Sequence, residues 1–233
     1  NDRVSPSALA RRVFDALLPH DCLLCGALAS SDAVCAECRD ELPRLAAERC
    51  PVCALPSPGS QTCGLCLRAP PRFDATLALY AYEFPVDRMI QALKYQARLP
   101  LARFFGEQLA ALAAPAADCL MPMPLHPLRL RERGFNQAVE IARPLARSWR
   151  LAIDARSARR AADTAPQADL ALEARRRNVR GAFTCDIDLE GSHALVVDDV
   201  MTSGATLDEL ARVLKDRGAA RVTNCVVART LRE

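Results

Sequence analysis

The chain has 233 residues and a formal net charge of +3, with 31 lysines and arginines against 28 acids. The length suits one medium domain plus a small module, and the near-neutral balance argues neither for nor against a nucleic-acid partner for the chain as a whole. No apolar run is long enough to span a bilayer, and acids and arginines interrupt the stretch 1–22, so neither a transmembrane helix nor a secretory signal is expected in these residues. The expected compartment is the cytoplasm.

Residues 1–19 are expected to form a short helix. Leu9, Val13, Ala16 and Leu17 share one helical face, Ser7 is placed to cap it and Pro19 to stop it.

Residues 20–68 hold eight of the eleven cysteines, as four CxxC pairs: Cys22/Cys25, Cys35/Cys38, Cys50/Cys53 and Cys63/Cys66. CLLCGALASSDAVCAEC and CPVCALPSPGSQTCGLC both read C-x2-C-x9-C-x2-C, displaced by 28 residues. A CxxC turn brings two thiolates within reach of one zinc ion, and two turns complete a tetrahedral site. Serial sites, one per repeat, and a cross-braced pair both fit the spacing. The module has too few large apolar residues to fold on its core alone, so structural Zn2+, about two per chain, is expected to supply much of its folding free energy. A redox CxxC comes once on a thioredoxin-like helix, not four times.

Pro70-Pro71 opens a second domain, 72–233. Residues 74–84 read as a strand or hairpin. Residues 86–113 are helical in period and divided by Pro100, and 119–123 is a second strand. Residues 124–133, PLHPLRLRER, read as a proline- and arginine-rich loop, and Gly134–Arg150 as a helix. Residues 155–180 lack a clear period and read as a long loop or mobile arm, a length that is commonly functional. Strands are expected at 181–185, 194–197 and 221–229, and a helix at 206–217. Alternating strands and helices imply an α/β fold, a parallel sheet flanked by helices and preceded by the cysteine-rich module. Cys119, Cys185 and Cys225 lie in apolar strand contexts and read as core.

The segment 195–206, LVVDDVMTSGAT, is the most informative stretch. A short apolar run fits a buried parallel strand, with Asp198 and Asp199 expected at its end. A small-residue loop then leads to a capping box, Thr206 with Glu209, which places a helix N-terminus after the loop. Free N–H groups and the positive dipole end favour a phosphate there. Thr202, Ser203 and Thr206 add hydroxyls, and Gly204 allows close approach. Paired acids suit sugar hydroxyls, or a magnesium ion beside a phosphate. Strand, acid pair and cradle together read as a ribose-5-phosphate site.

The segment resembles the PRPP-binding signature of the type I phosphoribosyltransferases. The multi-CxxC N-terminus, LKYQAR at 93–98, MPMPLH at 121–126, RERGFNQA at 131–138 and RNVRGAF at 177–183 narrow the resemblance to the ComF family, phosphoribosyltransferase-like proteins linked to natural competence and DNA uptake. The resemblance implies that Asp198 and Asp199 contact the ribose hydroxyls and that Thr202, Ser203, Gly204, Ala205 and Thr206 hold the 5′-phosphate. It implies a pyrophosphate loop at Pro124 and Leu125, followed by Arg133, Asn136 and Gln137. It also implies a flexible hood over 155–180 that includes Arg160, Thr164 and Gln167. Mg2+ would accompany PRPP.

Two functions stay open. One is a phosphoribosyltransferase with an unidentified acceptor. The other is a non-catalytic accessory protein that senses PRPP or binds single-stranded DNA or competence proteins. Residues 126–180 carry thirteen arginines against six acids, which favours a polyanion partner, although a high-GC genome explains the arginines equally well, since only Lys94 and Lys215 are lysines.

Overall fold

The computed structural model describes residues 20–29, 33–161 and 179–231. The expected N-terminal helix and the centre of the 155–180 arm, with Thr164 and Gln167, lie outside the described residues. Contacts divide the chain into two compact units, 1–42 and 43–233, and the boundary falls between the two cysteine tetrads.

In the first unit β1 (His20–Asp21) pairs antiparallel with β2 (Leu28–Ala29), and α1 (Ala36–Asp40) follows. The Cys22 N–H donates to Ala27 O at 2.7 Å, and the Gly26 N–H to Cys22 O at 2.9 Å. Gly26 has φ 74°, the left-handed conformation that closes this knuckle.

The second unit opens with the same knuckle, displaced by 28 residues. The Cys50 N–H donates to Leu55 O at 2.8 Å and the Ala54 N–H to Cys50 O at 2.9 Å, with Ala54 at φ 60° where the first repeat has Gly26. The helix α2 (Gly64–Arg68) begins after Cys63 as α1 begins after Cys35. The repeat seen in the cysteine spacing is therefore a repeat of backbone structure.

The remainder is built on a five-stranded sheet of order β3-β9-β8-β4-β5, parallel throughout. In chain order the elements are β3 (Ala75–Ala81), α3 (Val86–Gln96), α4 (Leu99–Ala110), β4 (Cys119–Pro122), α5 (Pro127–Arg133), α6 (Gln137–Trp149) and β5 (Ala152–Ile153). There follow β6 (Ala158–Arg160), β7 (Phe183–Cys185), β8 (His193–Met201), α7 (Ala205–Asp216) and β9 (Arg221–Arg229). Central strands buried on both faces read as continuous apolar runs. Leu195, Val196 and Val197 of β8, and Val226, Val227 and Ala228 of β9, are fully buried. Gly106 lets α4 lie against α6, since a Cβ there would stand 2.4 Å from Ile141 O.

Three expectations are corrected. Residues 127–133 are helical, not loop. Pro127 sits in the first turn, His126 Nδ1 accepts from the Leu128 N–H, and Gly134 at φ 80° ends the helix. The helix expected from Gly134 begins only at Gln137, because Asn136 is its cap. Part of the 155–180 arm is strand, with β6 pairing antiparallel to β7 and the pair separate from the main sheet.

The second tetrad's segment lies along the β3 edge. The Leu45 N–H donates to Leu79 O, the Ala81 N–H to Pro43 O, and the Thr76 hydroxyl to Val52 O at 2.7 Å. These bonds occupy an edge that would otherwise expose unpaired backbone. Arg229, at the end of β9 and 3% exposed, fastens the same segment from within. Its Nε donates to Cys53 O at 2.9 Å, and its Nη1 to Met201 O at 2.9 Å, to Thr202 O and to Thr230 O at 3.0 Å.

Arg229→Met is expected to leave these carbonyls short of donors and to destabilise the second unit by at least about 1–3 kcal/mol, the cost of a single orphaned buried acceptor. Denaturant titration measures it, and an unchanged midpoint would contradict the role given to this guanidinium.

Candidate functional site

The two tetrads are the first candidate site. Within Cys22, Cys25, Cys35 and Cys38, and again within Cys50, Cys53, Cys63 and Cys66, all sulfurs lie within 4.8 Å of one another. Zinc–sulfur bonds of about 2.3 Å in a tetrahedron put sulfurs about 3.8 Å apart. Cys25 and Cys35 are 3.8 Å apart, and Cys53 and Cys63 are 3.6 Å apart. Each repeat thus gathers its own four thiols, which settles serial over cross-braced pairing. The donor sets fit structural Zn2+.

Backbone donors prepare one sulfur in each set. Burial opposes the Cys22 thiolate, but N–H groups of Cys25, Cys35 and Leu24 outweigh it and bring the group down to about 6. Burial likewise opposes the Cys50 thiolate, and the N–H groups of Cys63, Cys53 and Val52 bring it to about 7. Cys66 is pushed well up, first by burial and then by the Cys53 thiol beside it. Four thiols this close do not ionise together without a cation among them.

The second candidate site lies at the carboxyl ends of β4 and β8. The connection from β4 runs to β5 and the one from β8 runs the other way to β9, so a crevice opens between the two strand ends. Asp198 and Asp199 do not end their strand. β8 continues to Met201 because β9 still pairs with it at Val200↔Ala228 and Met201↔Arg229. As successive strand residues the two acids leave the backbone on opposite sides. Asp199 is 3% exposed and Asp198 half-buried.

Lys94 of α3 reaches Asp199, with its Nζ 2.8 Å from Oδ1. The other carboxylate oxygen, Oδ2, is buried without a hydrogen-bond partner. Burial pulls the Lys94 ammonium down, but the charge and hydrogen bond of Asp199, with the Asp198 charge, hold it above its ordinary value. Asp198 is raised to about 7 by burial and by the Asp199 charge, while Lys94, the Asp199 N–H and Arg160 act in the other direction. Lys94 lies in LKYQAR, a motif whose resemblance implies no role for it. The available signal was that an arginine-rich chain keeps only two lysines. Both pair with acids, Lys94 with Asp199 and Lys215 with Asp74.

After β8 comes the loop of Thr202, Ser203 and Gly204, and then α7, whose first residues are Ala205 and Thr206. The capping box does not form. Gly204 is the N-cap at φ 81°, and a Cβ there would stand 2.8 Å from Met201 Cε, so this position takes glycine for two reasons. Glu209 instead accepts from the Gly181 N–H at 2.8 Å and pairs with Arg212 at 2.7 Å. The N-terminal turn of α7 therefore presents N–H groups to the crevice beside an exposed Thr202 and half-buried Ser203 and Thr206.

Across the crevice, Pro124 is buried and Leu125 half-buried in the turn after β4. Asn136 holds that turn: its Nδ2 donates to Met123 O at 3.0 Å, while its Oδ1 accepts from the Ala138 N–H. Arg133 Nη1 donates to Gln137 Oε1, and its guanidinium stands 5.7 Å from the centroid of Tyr95. Arg160, at the end of β6, lies over the Phe183 ring at 5.6 Å. The acids, the residues expected to cradle a phosphate and the β4 turn therefore share one end of the sheet. Asn136 and Gln137 do structural work there, holding the β4 turn and Arg133.

A family model described as "Double zinc ribbon domain" matches residues 13–67, and one described as "Phosphoribosyl transferase domain" matches residues 130–233. "DNA utilization protein YhgH" of Salmonella typhi is 32% identical over 225 residues, covering 92% of this chain and 99% of that protein. "Competence protein F" of Haemophilus influenzae is 27% identical, over 70% of this chain and 76% of its own length. "Competence protein ComFC" of Bacillus subtilis is 26% identical, over 90% and 95%.

Two outcomes are expected. Metal analysis of protein purified without added zinc should find about two zinc ions per chain. Cys50→Ser should lose one of them, and release of both would show that the sites depend on each other. For Asp198, the folded state holds its proton up to about pH 7 whereas an unfolded chain releases it near pH 4. Its contribution to stability therefore falls as pH rises through that window. The melting temperature of Asp198→Asn relative to the wild type should climb between pH 4.5 and 7.5, and a flat difference would contradict the raised pKa.

Proposed function

The chain belongs to the ComF family, a double zinc ribbon joined to a phosphoribosyltransferase domain, and on that premise we propose that its acid pair and phosphate loop bind PRPP for transfer of the phosphoribosyl group. The observation that carries this reading is the adjacency of Asp198 and Asp199 to the glycine-capped start of α7 at a crevice of the sheet. N–H groups at the head of α7 and the hydroxyls of Thr202, Ser203 and Thr206 would take the 5′-phosphate. The two carboxylates would accept hydrogen bonds from the ribose hydroxyls. Asp198 gives up its proton to do so, and Lys94 then stands between Asp199 and the incoming anion. Arg160 is near enough to act on Asp198 electrostatically, which is consistent with a cation facing the ligand from the hood. Magnesium, when bound with PRPP, would neutralise charge on the pyrophosphate, and the acid pair suits its neighbourhood.

In the reaction a lone pair of the acceptor forms a bond to C1 of the ribose as the C1–O bond to pyrophosphate breaks. The bonding electrons leave with pyrophosphate. Charge therefore grows on the leaving group, and positioned cations at this end of the sheet would stabilise it. No protein nucleophile takes part.

A second reading, a PRPP-sensing or single-stranded-DNA-binding accessory protein, is favoured by the arginine-rich stretch 126–180 and by the name "DNA utilization protein" that relatives carry. Pyrophosphate release separates turnover from binding alone.

Calorimetric titration of Mg-PRPP at pH 8 should show binding by the wild type. Asp198→Asn with Asp199→Asn removes two charged acceptors worth about 1.5–3 kcal/mol each, a loss of about two to four decades in affinity. If the acids only tether the loop, the double variant will instead melt earlier and bind normally. No heat from the wild type at millimolar Mg-PRPP would defeat the proposal.

A further inference from the structure

Two short routes tie the second cysteine knuckle to the start of the loop before α7. The first runs through Arg229, whose Nε donates to Cys53 O at 2.9 Å while its Nη1 donates to Met201 O at 2.9 Å and to Thr202 O. The second runs through Thr76 of β3. Its hydroxyl donates to Val52 O at 2.7 Å and lies 3.8 Å from the Met201 sulfur, and it accepts from Asn224 Nδ2 at 3.2 Å. Thr76, Asn224 and Arg229 are all buried, so no solvent stands ready to replace a bond that is lost. Beside these bonds lies a cavity of about 140 Å³, lined by Cys53, Leu55 and Cys66 from the ribbon and by Met201, Gly204 and Ala205 from the loop and α7. Where packing is interrupted in this way, the bonds carry a shift from one part to the other. A peptide unit is planar and trans, so its N–H points opposite to its C=O. By holding the Thr202 carbonyl, Arg229 therefore also sets the direction of the Ser203 N–H, and through the Met201 carbonyl that of the Thr202 N–H.

We propose that zinc binding at Cys50, Cys53, Cys63 and Cys66 and phosphate binding at Thr202–Thr206 strengthen each other through Arg229, while the first tetrad stands outside this linkage. The linkage rests on the preceding reading of that loop as a phosphate site. Cys53 belongs to both halves: its sulfur is one of the four metal ligands, and its carbonyl accepts from Arg229. With a cation among the thiols, the knuckle keeps its form and Cys53 O stays on the guanidinium. Without one, the crowded thiols lose their common partner, the knuckle loosens, and Arg229 is left with one side of its fork unfilled. The carbonyls of Met201 and Thr202 then lose a fixed donor, and a phosphate must order the loop on arrival, which lowers its affinity. A guanidinium suits this role because its planar fork reaches both sides at once, and a lysine ammonium does not. Coupling between two binding events is reciprocal, so phosphate on the loop must tighten zinc at the second tetrad by the same factor. The first tetrad has the same spacing and the same knuckle but lies in the other unit, which makes it the internal reference.

The test uses the zinc-loaded full chain with ribose 5-phosphate as the probe, which needs neither magnesium nor turnover. Free zinc is set with a chelator buffer. A brief pulse of a thiol-alkylating reagent, read by mass spectrometry, then reports the zinc occupancy of each tetrad separately. Saturating ribose 5-phosphate should lower the free zinc needed to half-fill Cys50, Cys53, Cys63 and Cys66 by about fivefold or more, the range common to linked sites. It should leave the value for Cys22, Cys25, Cys35 and Cys38 unchanged. Arg229→Lys should fill both tetrads with zinc and lose the dependence on ribose 5-phosphate. If that variant does not fold, the wild-type titration decides without it. Binding of ribose 5-phosphate with no shift at the second tetrad would overturn the linkage and leave the PRPP reading standing. An equal shift at both tetrads would mean general stabilisation and would overturn it too, as would an undiminished shift in folded Arg229→Lys. No binding of ribose 5-phosphate or of Mg-PRPP to the wild type would defeat the PRPP reading and the linkage together.

Discussion

The buried guanidinium of Arg229 is the contact on which the second unit turns. One planar fork of donors gathers carbonyls from three places: the second cysteine knuckle, the end of β8 and the chain just beyond β9. Loop carbonyls in a water-poor position need donors, and a single rigid cation supplies several at once. Because Met201 and Thr202 lead into the loop before α7, the residue that satisfies the ribbon also fixes where that loop begins. The zinc-binding segment is thereby part of the frame of the candidate site. The hydrogen bonds from Thr76 to Val52 and from Leu45 to Leu79 repeat the connection along β3.

The acid pair works under a second constraint. Two adjacent carboxylates in a half-buried crevice repel each other, and burial penalises both. Lys94 relieves Asp199 directly, and the remaining strain appears as the raised pKa of Asp198. Such a site suits a ligand that brings hydroxyl donors and cations with it. The partnerless oxygen of Asp199 has the same character, since it is a buried acceptor waiting for a donor. Perturbed titration beside a specific charge partner is a common mark of functional sites.

Much of this was legible in the residues. The 28-residue cysteine repeat announced two ribbons, because CxxC spacing follows from the reach of a metal and is independent of distant contacts. The buried strands were readable from apolar runs, and the loop before α7 from its small and hydroxyl residues. The family emerged from motifs spread from the first cysteines to the C-terminus. Local chemistry misled where a tertiary partner competed. Glu209 looked like half of a capping box, but the Gly181 N–H and Arg212 take its carboxylate. Residues 127–133 looked like a loop because proline and arginine crowd them, although proline in the first turn and glycine after the last also mark a helix.

The sequence by itself determined the two metal-binding repeats, the parallel α/β class and the strand–acid–loop–helix order of the candidate site, since each depends on spacing within a few residues. The tertiary structure alone decided which thiols share a site, that β8 runs past its acids, and that Lys94 sits on Asp199. It alone placed Arg229 between ribbon and loop, and Tyr95 beside Arg133. These pairings join residues between 10 and 176 positions apart, and no local pattern encodes them. Within the second unit, the β8–β9 pairing and the reach of Lys94 from α3 to Asp199 bring distant side chains together, and each buried polar group there must find a partner.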